Sequence, residues 1–187
     1  SKSTSSSYAD IDFAMYCARG GTLYVYEKGS GKGKIGTYSA GATIQVVVSE
    51  QGKVEYLRNG ERLKTSSRRV VYPLYADVSI YDSGGSFSNV HWVAFSAAGE
   101  LVVFQSLVGV SSSAGVIKRT KSGSGRSAGA VSQRAMKSAT DTVRGISAVC
   151  DRSDKYQMIG LNSKSTSSSY ADIDFAMYCA RGGTLYV

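Results

Sequence analysis

The sequence predicts an all-β chain, built as an antiparallel sandwich or barrel. Three observations carry that expectation. β-Branched and aromatic runs such as TIQVVVS (43–49) recur at short spacing, with no clear helical period. Gly, Ser and Asn turns separate them, and Asn59-Gly60 is the strongest hairpin signal in the chain. A single proline, Pro73, stands against 21 glycines and 13 tyrosines, a composition that suits strands and turns.

Taken in order, residues 1–7 read as a serine-rich loop. Asp10 to Cys17 alternates: Ile11, Phe13, Met15 and Cys17 fall on one face, Asp10, Asp12, Ala14 and Tyr16 on the other. That is the pattern of a half-buried strand. Arg19-Gly20-Gly21 turns the chain, and Thr22–Glu27 is its hairpin partner. Residues 28–36, KGSGKGKIG, are too glycine-rich for a stable element, and they lack the strand and helix that flank a phosphate loop. Strands follow at 43–49, 53–58 and 61–66, then a loop at 67–74, then strands at 75–82 and 87–95. Residues 101–105 and 116–120 are strand-like, 121–130 reads as a basic loop, and 131–141 leaves a turn of helix open. Strands at 142–150 and 155–161 complete the pattern.

The N-terminal stretch then returns. Residues 163–187 repeat residues 1–25 without one substitution, at an offset of 162. A window on a longer array of 162-residue units, a permuted chain with a duplicated strand, a recent duplication and a sequence-assembly overlap all produce such a repeat. In each case one unit of 162 residues is the size of a single domain.

The net charge is +8. The repeated segment is neutral, so the excess belongs to the rest of the unit and favours polyanionic partners. The three cysteines reduce to two distinct positions, because Cys179 copies Cys17. No CxxC motif or Cys/His cluster frames a zinc site. Cys150 is expected to pair with Cys179, or with Cys17 of a neighbouring unit, in an oxidising extracellular setting, or else to stay a buried thiol. No stretch reaches the roughly 18 apolar residues of a membrane helix. No signal peptide is visible, and Ser1 reads as a mature or cut end.

Several segments resemble the concanavalin A-like lectin/glucanase jelly-roll modules. They are Tyr8–Ala14 with Gly21–Gly29, Val54–Gly60, Tyr72–Asp77 and Phe87–Val90. Residues 156–161 resemble the segment that precedes the YADIDFA-like strand, and residues 107–110 one near the module start. The resemblance implies a jelly-roll β-sandwich permuted across the 162-residue repeat. In module order the chain would run from about Glu100 through Val187 and continue from Tyr26 to about Trp92. Residues 1–95 are then the C-terminal part of one module, 96–100 a short linker, and 101–187 the N-terminal part of the next.

Lectin and glucanase activities are what the superfamily implies. Paired-glutamate glycosidase chemistry needs two carboxylates about 5 Å apart. Glu27, Glu50, Glu55, Glu61 and Glu100 form no such pattern, and no nucleophile elbow frames a serine for His91. The sequence is therefore read as a non-enzyme without a cofactor or metal. Ligand contacts are expected from basic loops, Lys28, Lys32, Lys34, Arg68, Arg69, Lys118, Arg119, Lys121 and Arg126, and from ring stacking on Trp92, with Asn89 or Asp77 giving hydrogen bonds. The expected ligand is acidic polysaccharide or silicate, not a specific nucleic acid. The leading expectation is a structural repeat protein that assembles with itself, head to tail, into a filament or extracellular matrix. A carbohydrate-binding module is the alternative.

Overall fold

The computed structural model describes residues 12–94, 99–125 and 128–163. Among them there is no helix, and 14 strands form two antiparallel seven-stranded sheets packed face to face as a β-sandwich. The strands are β1 (Phe13–Ala18), β2 (Thr22–Glu27), β3 (Ser30–Thr37), β4 (Ala42–Val48), β5 (Lys53–Arg58), β6 (Glu61–Arg69) and β7 (Leu74–Ile80). They continue with β8 (Ser86–Ala94), β9 (Phe104–Val108), β10 (Val110–Ser113), β11 (Val116–Arg119), β12 (Gly129–Met136), β13 (Val143–Cys150) and β14 (Gln157–Asn162).

One sheet runs β3-β2-β1-β14-β7-β12-β9, the other β10-β11-β8-β13-β4-β5-β6. The hydrophobic pattern explains how they close. β4 alternates buried and half-buried residues, with Ala42, Ile44, Val46 and Val48 turned to the core. Central strands β1 and β14 are buried along their whole length. Trp92, Phe13, Phe87, Tyr56 and Ile44 fill the space between the sheets. Asn59 and Gly60 take φ of 50° and 80°, as the type I′ turn between β5 and β6 requires.

Two expectations change. Residues 30–37 are a strand despite three glycines, because the Lys28-Gly29 turn (φ 49° and 68°) folds β3 back onto β2. Residues 129–136 are strand β12, not a turn of helix; pairing with β7 on one side and β9 on the other overrides a weak local pattern. In their described parts, residues 1–95 and 101–187 contribute interleaved strands to both sheets, so the two segments complete one sandwich. The described residues on either side bond to each other: the Trp92 amide donates to Glu100 O and the Val102 amide to Val90 O.

The repeat meets the fold at one place. β1, from the first copy, lies beside β14, the strand that runs into the second copy. Phe13 stands opposite Leu161 and Cys17 opposite Gln157. The Ser163 hydroxyl, first residue of the second copy, donates to Asp12 Oδ2 at 3.0 Å.

Candidate functional site

Two features are candidates: the seam at β1 and a cationic edge at β3 and β6. At the seam, β1 holds Met15, Tyr16 and Cys17 within 1% exposure or less. Tyr16 packs edge-on against Tyr26 at 5.8 Å and stacks on Tyr156 at 6.4 Å between ring centroids. Cys17 and Cys150 are buried free thiols facing each other across the sheets. Burial pushes the Cys150 thiol well up, and the contact with Cys17 raises it further. The partner of Cys150 among the described residues is therefore Cys17 of the same chain; Cys179 lies outside the described residues. The Tyr38 hydroxyl, raised chiefly by burial, sits 3.1 Å from Ala18 O and 3.2 Å from Arg152 O, tying the end of β1 to the loop before β14.

At the cationic edge, β3 ends one sheet, β6 ends the other, and the two edges lie together on one side of the sandwich. Gly36 of β3 sits directly against Leu63 of β6. This puts Lys32 and Lys34 of β3, with Lys28 at the turn into it, on the same edge of the sandwich as Arg62, Lys64, Arg68 and Arg69 of β6. Four cations of this region have carboxylate partners: Lys28 with Asp12 at 2.8 Å, Arg58 with Glu61 at 2.6 Å, Arg62 with Glu55 at 2.9 Å and Arg68 with Glu27 at 3.7 Å. Among the described residues, Lys32, Lys34, Lys64 and Arg69 form no ion pair, so they carry the net field of this edge. Charged edges of this kind resist pairing with another strand edge. Beneath them, the Tyr56 hydroxyl donates to Glu27 Oε1 at 3.1 Å, joining the sheets through a buried hydrogen bond.

The other expected residues fall elsewhere. Lys118 and Lys121 are exposed near the opposite side of the sandwich and do not join the β3–β6 cluster. Arg126 lies outside the described residues. Arg119 is 3% exposed, and its guanidinium donates to the carbonyls of Ile80, Lys121 and Gly125, so it pins loops together. Trp92 is 1% exposed and belongs to the core, which removes its ring from any stacking surface. Asp77 is buried and accepts a hydrogen bond from Asn162. Asn89 takes φ of 47° in β8, and its carbonyl lies 2.8 Å from His91 Nδ1. Arg62 and Lys64 were not among the expected ligands; their signal was their place on an edge strand, which only the topology supplies.

A polar cleft of about 560 Å³ opens at the hairpin ends, lined by Gly21, Thr37, Ser39, Arg58 and Asn59 among others. Arg58 is engaged there by Thr37 O and Glu61. A scan against protein-family models and searches of curated proteins and of solved structures give no match.

Proposed function

We propose that this chain is a structural unit that assembles with copies of itself, head to tail, through its repeated segment. The observation that carries this reading is the pairing of β1 with β14. β14 leads into a segment with every side chain of the first copy, so a second β1 is available for each β1 place. One sandwich holds one such strand there. The other copy can enter the same place in a neighbour, where Phe175 would meet Leu161 and Cys179 would meet Cys150. Strand insertion of this type, between β2 and β14, draws on main-chain hydrogen bonds and on buried side chains together.

The cationic β3–β6 edge gives this unit a surface for an anionic polymer or mineral such as acidic polysaccharide or silica, in an extracellular matrix. Lys32, Lys34, Lys64 and Arg69 would supply the attraction. The burial of Trp92 weighs against the carbohydrate-stacking alternative.

The test is assembly of the full chain, followed by sedimentation velocity and electron microscopy. The expected result is polymers that shorten when a 25-residue peptide of the repeat is added in excess. A chain that sediments as a monomer across the concentration range contradicts the proposal.

A further inference from the structure

The side of the sandwich opposite the cationic edge has the reverse character. β9 ends one sheet and β10 ends the other, and Gly109 (φ 59°) carries the chain from one to the next. From Leu101 through Ile117 there is no charged residue. Among the described residues six large hydrophobic side chains are exposed, and five of them lie in this stretch: Leu101 (45%), Val103 (56%), Leu107 (44%), Val108 (41%) and Val116 (41%). Glu100, Lys118 and Arg134 stand at its rim, with Arg134 paired to Glu100. An apolar centre with a polar rim is the anatomy of a protein interface.

We infer that the β9–β10 edge is a lateral docking surface for a second copy of this chain, joined edge to edge. Two physical reasons select a copy as the occupant. First, among the described residues β9 and β10 each pair on one side only, so each offers a row of main-chain donors and acceptors to another strand. Second, the chain carries a net charge of +8, and two copies repel each other over most of their surface. The uncharged edge is where that repulsion is least, whereas the β3–β6 edge opposes its own copy with lysine and arginine. Two β9 strands related by a two-fold axis would run antiparallel, and the patch would be complementary to itself. The inference goes beyond head-to-tail assembly, because β9 and β10 contain no residue of the repeated segment.

The test uses the full chain with excess 25-residue repeat peptide, which suppresses strand exchange. Sedimentation equilibrium is combined with amide hydrogen exchange. The expected result is a dimer whose Ser106–Val108 amides gain protection as concentration rises. Leu107→Lys places like charges across the two-fold axis and should weaken the dimer more than tenfold. Its circular dichroism should stay unchanged, because Leu107 is exposed. Val71→Lys, which alters an exposed valine (58%) outside the patch, should leave the dimer intact. A wild-type chain that stays monomeric, a folded Leu107→Lys chain that dimerises as the wild type does, or equal loss in Val71→Lys overturns the inference. Head-to-tail polymers that persist without the peptide in that case show that the two contacts are separate.

Discussion

Phe13, in the first copy of the repeat, stands opposite Leu161, two residues before the second copy begins. The pairing makes the two ends of one repeat unit neighbours in a sheet. The copy of Phe13 is Phe175, only 14 positions beyond Leu161.

Substitutions at these two phenylalanines reveal which copy fills the place. Phe13 is fully buried, and Phe→Ala in a core costs about 3–5 kcal/mol. With a second copy on hand, Phe13→Ala alone should lose less than this, because Phe175 can enter instead. Phe13→Ala with Phe175→Ala should lose the full amount. Urea denaturation of the two single variants and the double variant measures this non-additivity. If Phe175→Ala adds nothing to Phe13→Ala, the copies do not exchange.

The Glu27–Tyr56 hydrogen bond gives a second prediction. Tyr56→Phe leaves buried Glu27 without that donor and should destabilise the chain by about 1–3 kcal/mol. Burial first, then the charge and hydrogen bond of Glu27, hold the Tyr56 phenol well above its ordinary value. A raised folded value stabilises below the unfolded phenol's pKa of about 10 and loses that contribution as pH rises further. The wild type should therefore lose stability above about pH 10 more steeply than Tyr56→Phe in alkaline thermal melts.

Asp141 contributes to the acid limb. Burial alone would raise its carboxyl, but the Lys137 and Val143 amides and the Arg134 guanidinium outweigh burial and hold it below the usual value. A depressed folded value stabilises above the unfolded carboxyl's pKa of about 3.9 and is lost as pH falls through the folded one. Asp141→Asn should lower Tm at pH 6, and the gap to wild type should close below about pH 4. A gap that stays constant with pH would contradict the assignment.

On the cationic edge, Lys32→Glu with Lys34→Glu should weaken binding to a sulfated polysaccharide roughly tenfold at low salt, and less at high salt. Lys118→Glu, on the other side of the sandwich, should have a smaller effect. Equal losses from both would mean that the charge acts as a whole and not through this edge.

Much of the sandwich was legible in the sequence, and particular residues show why. Thr22–Glu27 and Asn59-Gly60 read correctly because their signals are local: a β-branched and aromatic run, and a turn that needs positive φ. β3 and β12 did not, since partner strands hold their glycines and small residues in place. The cationic edge was half legible. Lys28, Lys32 and Lys34 stood out as a group, but their company with Lys64 and Arg69 comes from two sheets ending on the same side. Trp92 read as a ligand residue because aromaticity does not tell which face of β8 it occupies.

The exchange of the repeated segment between copies is tested most directly by its cysteines. Chains carrying Cys17→Ser retain Cys150 and Cys179. Isotope-labelled and unlabelled chains are mixed, assembled and oxidised with glutathione disulfide, which takes two electrons and two protons from the thiol pair and leaves as two glutathione thiols. Peptide mass mapping then locates the bridge. Strand exchange predicts a Cys150–Cys179 disulfide that joins labelled to unlabelled chains. Bridges confined to single chains, or both thiols left free in assembled material, would contradict it.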